Sequence, residues 1–303
     1  MYRAEQSHWW YQGMAALTRS VLEIFYAPGS GLTILDAGCG TGGGLLFLSR
    51  YGSVTGLDIS AHALCFCAER ECTKVTRASV MALPFREKSF DLVTSFDILY
   101  FEGIDDQTAL RETARVLRPG GRLLIRVPAF DWLRGTHDAR VSTAHRYTSK
   151  ELADKLVERG FEIEFMSYAN MILFPLALLK RFFERWRLTP QQDSDIAVNV
   201  GAFSSFLKSC LVFESRLIRF WRLPFGLSVV AMAKKSQLLS ASADSLRDKG
   251  TKGQRGKVRS LSVSFSALCL CAFATLCLHR GAETKLKSPP KGEGFSPIPR
   301  EGQ

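Results

Sequence analysis

Apolar side chains recur along the first 30 residues at intervals of three or four positions. This spacing predicts a helix over residues 1–30 that ends near the turn-forming sequence APGSG. Four short apolar runs follow, LTILDAG, SVTGLD, FDLVTSFD and GRLLIRVPA, and helix-like segments such as AHALCFCAERE and DQTALRETARVL lie between them. Strands that alternate with helices predict an α/β domain over residues 31–169, in which helices cover both faces of a parallel sheet.

The pattern changes after GFEIEFMSY, which predicts a further strand. Residues 170–222 contain two apolar segments rich in Lys and Arg, joined by a polar link, and they predict a pair of basic amphipathic helices. Pro175 is expected to kink or delimit the first of them. Residues 223–235, LPFGLSVVAMAKK, predict the last strand, so we interpret the helical pair as an insertion between the final two strands.

The remaining residues, 236–303, are rich in Ser, Gly and Lys, a composition that predicts a low-complexity tail without a packed core. An uncharged run of 18 residues, 261–278, reaches the lower limit of length for a helix that spans a bilayer. The run also contains several Ser and Thr residues. A membrane-spanning segment and a tail without stable structure therefore stay open as alternatives for this run.

The net charge of +11 is unevenly distributed. Residues 1–169 carry 19 Lys and Arg against 20 Asp and Glu, whereas residues 170–235 and 236–303 each carry a surplus of six positive charges. A basic nucleic-acid groove in the first domain is therefore not expected. The basic amphipathic pair indicates contact with a membrane surface instead. A helical cap whose basic residues face water is the alternative for this pair.

Eight cysteines are scattered through the chain. Cys65, Cys67 and Cys72 share one predicted helix but lack the paired C-x-x-C spacing of a metal site, so we expect buried, apolar thiols and no metal. The first residues, MYRAEQSHWWYQG, are polar and aromatic and do not resemble a secretory signal. The expected location is cytoplasmic, with the inner face of the membrane as an additional site.

The glycine-rich sequence LTILDAGCGTGGG fits the loops of two different cofactors. Three of its glycines match the G-x-G-x-x-G loop of dinucleotide-binding domains, at Gly38, Gly40 and Gly43. Asp58 lies 20 positions after Gly38, where a ribose-binding acid is expected. The same loop fits S-adenosylmethionine, and Asp36 at the end of the first strand would repel a pyrophosphate but attract a sulfonium and an ammonium. Asp36 therefore favours S-adenosylmethionine over a nicotinamide cofactor.

Further motifs follow in order and resemble the class I S-adenosylmethionine-dependent methyltransferases. ILDAGCGTG resembles their first motif, VTGLDIS the second strand with its ribose-binding acid, and ASVMALPFREKSFDLVTSFDIL the adenine-side loop with the fourth strand. ARVLRPGGRLLIRVP resembles the approach to the fifth strand. The resemblance covers about Trp9 to Lys235 and is greatest to the group that includes ubiquinone- and menaquinone-biosynthesis methyltransferases. It implies a Rossmann-like seven-stranded sheet whose last strand is antiparallel.

The resemblance also implies which residues contact S-adenosylmethionine. The glycine-rich backbone would approach the methionyl part, Asp58 would bind both ribose hydroxyls, and Ile59 would pack on the adenine. Simple core packing is the alternative for Ile59. Many relatives have Asp where this chain has Ser79. The complete implied set is Asp36, Gly38, Cys39, Gly40, Gly42, Asp58, Ile59, Ser79, Val80 and Asp97.

Methyl transfer often requires removal of a proton from the acceptor. The sequence THDARVSTAHRYTSKEL follows the fifth strand, and its ionisable side chains are candidate bases. Alternatively, they anchor the following helix, with Thr148 or Ser149 as its N-cap. Tyr100 and Phe101 replace a Glu-His pair of many relatives, which directs attention to this loop. The candidate catalytic residues are His137, His145, Tyr147 and Asp97.

The aromatic sequence SHWWYQG near the N-terminus permits two interpretations, a lid over the cofactor and a helix whose rings pack on the sheet. The expected function is transfer of a methyl group to a small or lipid-linked acceptor, at oxygen. The alternative is a membrane-associated protein that binds S-adenosylmethionine without catalysis. The expected partners are the acceptor and a membrane surface, with no nucleic acid.

Overall fold

The computed structural model describes residues 2, 5, 8–135, 138, 142–185 and 203–236. Its helices are α1 (Trp9–Leu22), α2 (Gly43–Leu48), α3 (Ala61–Glu69), α4 (Asp106–Val116), α5 (Ser149–Glu158), α6 (Phe174–Arg185) and α7 (Phe203–Leu217). Its strands are β1 (Leu32–Ala37), β2 (Gly52–Asp58), β3 (Val75–Arg77), β4 (Phe90–Phe96), β5 (Leu117–Pro128), β6 (Phe161–Ala169) and β7 (Ser228–Lys235). The predicted tail after Ser236, with its uncharged run, lies outside the described residues.

The strands form one seven-stranded sheet in the order β3-β2-β1-β4-β5-β7-β6. β1 to β5 pair in parallel, whereas β7 runs antiparallel to both β5 and β6. The predicted Rossmann-like sheet, with its antiparallel last strand and a helical insertion before it, is confirmed. The apolar pattern did not single out β3, because this strand has three residues and lies at the edge of the sheet.

Alternate residues of the central strands enter two cores on opposite faces of the sheet. Ile34, Leu92 and Leu124 pack with α1 on one face. The neighbouring residues Leu35 and Val93 pack with α4 and α5 on the other face. Because both faces are covered, these strands are nearly continuous apolar runs, as the sequence predicts for a buried parallel sheet.

Side chains at the expected positions begin several helices. The Asp105 carboxylate accepts the Thr108 N–H at the start of α4, and the Thr148 hydroxyl accepts the Glu151 N–H at the start of α5. Thr148 is thus the N-cap, one of the two residues expected in that role. Pro175 is the second residue of α6 and lies in the first turn, so it delimits this helix without breaking it.

The inserted helices leave the sheet after β6 and return before β7. α7 packs along α1 so closely that a Cβ at Gly13 would lie 2.3 Å from the Leu211 side chain. The buried Glu214 carboxylate of α7 accepts the N–H of Ile172, which lies at the start of the insertion, at 3.0 Å. Burial raises the pKa of Glu214. None of the helices in the described ranges is both long and apolar enough to cross a bilayer.

The carboxyl edge of the sheet collects the ends of several elements. Ala169 at the end of β6 pairs with Ser228 at the start of β7, so both lie at the edge where β1, β2, β4 and β5 end. Asp97, Phe130 and Asn170 lie just beyond β4, β5 and β6 and adopt positive φ angles of 56°, 60° and 63°. Non-glycine residues in this conformation concentrate at functional sites, and open α/β sheets bind ligands at this edge.

Candidate active site

The glycine-rich loop follows β1 at the carboxyl edge. Gly38 and Gly42 adopt φ angles of 94° and 86°, in the region that favours glycine. A Cβ at Gly38 would lie 2.3 Å from the Ile98 side chain, so a larger residue does not fit there. The N–H groups of Gly38 and Cys39 donate to the Leu57 carbonyl at 2.7 and 2.9 Å. These bonds fix the loop beside the end of β2, with little side-chain bulk between its backbone and a ligand.

Asp58 ends β2 and joins this strand to the loop. Its Oδ2 accepts the Gly40 N–H at 2.8 Å, and its Oδ1 accepts the Ser60 N–H at 2.8 Å. A carboxylate oxygen has two lone pairs, so each oxygen can accept a second hydrogen bond. Asp58 can therefore receive two ribose hydroxyls while it keeps the loop in place.

Asp36 ends β1 and is 2% exposed. The Thr94 hydroxyl donates to its Oδ1 at 2.7 Å, and a Cβ at Gly44 would lie 2.7 Å from its Oδ2. The pKa of Asp36 is raised to about 6, chiefly by burial; the Thr94 hydrogen bond and the Arg126 charge oppose this shift, and the Asp58 charge adds to it. A buried carboxylate in this position gains most from a positive ligand group.

The residues implied for the adenine lie beyond β2. Ile59 is 67% exposed, so simple core packing, the alternative for this residue, is wrong. Its carbonyl accepts the Arg77 Nε–H at 3.0 Å, which fixes the turn. The Ser79 hydroxyl accepts the Met81 N–H at 3.2 Å, and Val80 packs partly buried against the core. An exposed apolar side chain beside a ribose-binding carboxylate provides a surface on which a base can stack.

Asp97 ends the row of carboxylates at the carboxyl edge. Arg126 of β5 donates from two nitrogens to its Oδ2, from Nε at 3.0 Å, and also donates to the Thr18 hydroxyl of α1 at 3.1 Å. This network joins α1 to the ends of β4 and β5. Sequence reasoning missed Arg126, although a positive charge inside the apolar run GRLLIRVPA is a usable signal.

The site fits a cationic cofactor. Asp36 and Asp58 are close enough for the charge of Asp58 to raise the pKa of Asp36. A positive group between such carboxylates relieves their repulsion, whereas a pyrophosphate increases it. Two hydrogen-bond-accepting carboxylates and the exposed apolar side chain of Ile59 thus match an ammonium and sulfonium with an attached nucleoside.

The cysteines beside the loop are packing residues. The thiols of Cys39 and Cys67 are buried, and burial raises the pKa of both. The resemblance implies that Cys39 contacts the cofactor. Because its thiol is buried and neutral, the backbone of Cys39 is the part that can make this contact. The expectation of buried thiols in one helix is confirmed for Cys67 and wrong for the other two: Cys65 is exposed, and Cys72 is half-buried and lies after the end of α3.

His145, a predicted general base, has both ring nitrogens engaged. Nδ1 lies 2.8 Å from Asp131 Oδ2, and Nε2 lies 2.8 Å from Glu151 Oε1. Each ring nitrogen thus has a carboxylate as its neighbour. His145 in this arrangement ties the loop to α5, which corresponds to the anchoring alternative.

Tyr147, also predicted to be catalytic, is placed inside the protein. Its hydroxyl lies 3.1 Å from the Leu99 carbonyl and 3.0 Å from Asp106 Oδ2, and burial raises its pKa. These contacts again correspond to anchoring of the loop. The neighbouring Arg146 pairs with the buried Asp138 at 2.7 Å, while His137 lies outside the described residues.

The aromatic residues near the N-terminus are interpreted either as a lid over the cofactor or as rings that pack on the domain. Trp9 and Trp10 pack against Leu173, Leu207 and Leu211 of the insertion. The pKa of Tyr11 is raised, first by burial and then by the charges of Glu5 and Asp97. The tryptophans therefore fix α1 in place, as the packing interpretation expects.

An aromatic cluster, which sequence reasoning did not identify, lies beyond β5 and β6. The rings of Phe130 and Tyr168 stack with their centroids 5.1 Å apart. The centroid of the Phe174 ring lies 6.1 Å from that of Trp132 and 5.2 Å from that of Phe225. Trp132 is 60% exposed. The cluster gives the carboxyl edge an apolar side next to the charged one. Its members come from four separate segments, which a linear pattern cannot bring together.

Comparisons with known proteins agree with this geometry. Residues 35–125 match the family model described as methyltransferase domain. The chain is 32% identical over 139 residues to a fatty-acid O-methyltransferase of Mycolicibacterium smegmatis, covering 41% of this chain and 50% of that protein. It is 40% identical over 110 residues to a demethylmenaquinone methyltransferase of Mycolicibacterium paratuberculosis, covering 36% and 45%.

A third relative is a malonyl-[acyl-carrier protein] O-methyltransferase of Enterobacter lignolyticus, 32% identical over 157 residues, covering 48% of this chain and 60% of that protein. The chain thus spans about half the length of these relatives. Among solved structures, a geranyl diphosphate methyltransferase in complex with S-adenosylmethionine matches with a TM-score of 0.50 and 18% identity, covering 73% of this chain and 85% of that one. This likeness concerns the fold.

Proposed function

We propose that this chain, whose residues 35–125 match the methyltransferase domain model, is a class I S-adenosylmethionine-dependent methyltransferase that transfers a methyl group to an oxygen of a small or lipid-linked acceptor. One observation carries the proposal. The carboxylates of Asp36, Asp58 and Asp97 line the same edge of the sheet as the aromatic cluster, of which Trp132 is exposed. A cationic cofactor and an apolar acceptor can therefore meet at the end of β4.

The chain's residues bind and orient, while bound S-adenosylmethionine supplies an activated methyl group on a positive sulfur. The loop glycines and Asp58 would hold the nucleoside and methionyl parts, and Asp36 would offset the positive charge. Asp97, fixed by Arg126, would lie near the sulfur and the entering oxygen. The acceptor oxygen would take the methyl group from the bound cofactor, and the electron pair of the broken carbon–sulfur bond would stay on sulfur. Alignment of the reacting groups is the main contribution of the protein.

The contacts of the predicted catalytic loop favour an acceptor whose oxygen is already ionised. His145 and Tyr147 are engaged with Asp131, Glu151 and Asp106, so they serve the loop and not a proton transfer. An acceptor that is already ionised near neutral pH, such as a carboxylate, needs no strong base. The names of the fatty-acid and malonyl-[acyl-carrier protein] O-methyltransferases are consistent with an oxygen acceptor. For an acceptor that carries a proton, Asp97 is the proposed recipient and His137 the second candidate.

The inserted helices support contact with a membrane surface. Leu176 and Leu179 of α6 and Phe213 of α7 are exposed, and Phe220 and Trp221 after α7 are 86% and 69% exposed. Exposed cations occur in the same part of the chain, namely Lys208, Arg216, Arg219 and Arg222. Arg219 also pairs with Glu23 at 3.4 Å, and the Arg222 guanidinium lies over the Phe165 ring. Apolar rings flanked by cations suit the interface of an anionic bilayer. We include peripheral contact with the inner face of the membrane in the proposal.

The test is incubation of the full chain with methyl-labelled S-adenosylmethionine and a membrane extract, followed by extraction of the lipids. The expected product carries label that mild alkali releases, as from a methyl ester. Asp58→Ala is the matched control and should give no label. Label that resists alkali would place the methyl group on carbon, nitrogen or an ether oxygen. Binding of the cofactor without transfer to any extract component would favour the alternative, a binding protein without catalysis.

A further inference from the structure

The chain before α1 contacts the glycine-rich loop through Glu5. The Thr41 hydroxyl donates to Glu5 Oε2 at 2.6 Å, and Arg70 at the end of α3 donates to the same oxygen at 2.8 Å. The side chains of Arg70 and Glu5 are 5% and 12% exposed, so this ion pair is buried. A Cβ at Gly43 would lie 2.7 Å from Glu5 Oε2, so this glycine leaves the room that the carboxylate occupies.

Tyr2 makes a second attachment to the same helix. Its ring stacks on Phe66 of α3 with centroids 4.8 Å apart and planes inclined by 23°. The guanidinium of Arg70 lies 4.6 Å from the centre of the Tyr2 ring and donates to the Tyr2 carbonyl at 3.2 Å. Arg70 thus holds two separate points of the N-terminal segment, and cation–π contact adds to the ion pair.

The other end of the segment is attached at the methyl-transfer end of the crevice. Thr18 of α1 accepts from Arg126, which also binds Asp97. The described residues thus attach at two places, Glu5 at the glycine-rich loop and Thr18 at the network that holds Asp97 at the end of β4. These two attachments lie on either side of the place where the cofactor fits, and the burial of Tyr11, which raises its pKa, is consistent with them.

We propose that Glu5, through its buried pair with Arg70, is a positioning residue that fastens the N-terminal segment across the cofactor and slows cofactor release. For a ligand to leave, the Glu5 carboxylate must separate from Arg70 and Thr41, which exposes a buried charge pair. Separation of such a pair leaves an uncompensated charge and is costly. The inference rests on the cofactor site of the proposed function but is independent of the acceptor.

The experiment measures the dissociation rate of S-adenosylhomocysteine from the full chain by stopped-flow competition. Glu5→Gln keeps the shape and an oxygen acceptor but removes the charge, and dissociation should become about tenfold faster. Arg70→Met should accelerate release at least as much, because it also removes the contacts with Tyr2. The double variant should be no faster than Arg70→Met, because the two side chains act together. Tyr2→Ala, which removes the stacking on Phe66 and the cation–π contact but leaves the ion pair, should give a smaller acceleration of about threefold.

Arg118→Ala is the control, since it removes an ion pair with Asp91 at 2.6 Å at the opposite edge of the sheet. Its dissociation rate should equal that of the unchanged chain. Unchanged rates in Glu5→Gln and Tyr2→Ala would overturn the inference, as would additive effects in the double variant. Slower release or tighter binding would also overturn it, because the segment would then obstruct the site. Failure of methyl transfer alone would leave these rates unaffected, so it would count only against the proposed function.

Discussion

The two halves of the carboxyl edge differ in how their side chains are held. On the cofactor side, at the ends of β1 and β2, Asp58 accepts two backbone N–H groups and Asp36 accepts a hydroxyl. On the acceptor side, beyond β5 and β6, Trp132 and Phe174 contact each other ring to ring. Directed hydrogen bonds fix charges to one geometry, whereas ring contacts tolerate small shifts. The cofactor side is thus suited to one ligand, and the acceptor side to a class of ligands.

The largest effect is expected from Asp58 on the cofactor side. Asp58→Ala should weaken S-adenosylhomocysteine binding about a thousandfold, because it removes two charge-assisted contacts to the ribose and the bond to the Gly40 N–H. Titration calorimetry measures the affinity. Asp91→Ala, at the amino edge, is the control and should bind normally. An affinity within tenfold of the unchanged chain would show that the ribose does not depend on this carboxylate.

Asp36 should give a pH-dependent effect. Its folded-state pKa of about 6 exceeds the ordinary value of 3.8, so the folded chain binds this proton more tightly. The resulting stabilisation is complete below pH 3.8 and is lost as the pH rises through about 6. Asp36→Asn should therefore raise the free energy of unfolding at pH 7.5 by up to about 3 kcal/mol, the equivalent of the pKa difference.

The same variant should bind S-adenosylmethionine about tenfold more weakly at pH 7.5, since the attraction to its positive groups is lost. In the unchanged chain this attraction should also weaken as the pH falls below about 6, but not in Asp36→Asn. Urea unfolding and calorimetry between pH 5 and pH 8, within the window set by this pKa, measure both properties. A variant that is less stable and binds normally would contradict the role given to the buried charge.

Trp132 tests the acceptor side. Trp132→Ala should raise the KM for an apolar acceptor about tenfold and leave kcat and cofactor affinity unchanged, because apolar contact area is lost. Steady-state kinetics with fatty acids of increasing chain length provide the measurement, and the effect should grow with length. Val157→Ala, an equally exposed position on α5, is the matched control. Equal effects on short and long acceptors would show that the acceptor does not bind at this surface.

Trp221 tests the membrane contact. Trp221→Ser should reduce partitioning onto vesicles that contain anionic phospholipid about fivefold, since it removes an exposed ring next to Arg219 and Arg222. Co-sedimentation with vesicles measures the bound fraction. Val157→Ser is the control for an exposed apolar residue elsewhere. Equal binding to neutral vesicles would argue against the contribution of the cations.

The smallest effect is expected for His145. His145→Gln should change the transfer rate by no more than about threefold, because both ring nitrogens are already engaged by the carboxylates of Asp131 and Glu151. The measurement is the pH profile of kcat. Loss of an ionisation from the profile, together with a large fall in rate, would restore His145 as the general base.

The sequence predicts the cofactor side because its partners are close along the chain and its loop depends on backbone geometry. Gly40 and Asp58 are 18 positions apart in a motif with fixed spacing. The functions of His145 and Tyr147 could not be predicted in this way. Their roles depend on Asp131, Glu151 and Asp106, which only the fold brings together, and a lone histidine in a polar loop has the same pattern whether it is engaged or free.

The pairing of Ala169 with Ser228 has a consequence for how such a chain can vary. The excursion that carries α6 and α7 departs from the sheet and rejoins it at neighbouring backbone positions. Lengthening a chain between two fixed, adjacent anchor points costs conformational entropy that grows only with the logarithm of its length. A different excursion could therefore be grafted between these two residues and present a new acceptor surface while the strands that carry Asp36 and Asp58 keep their register.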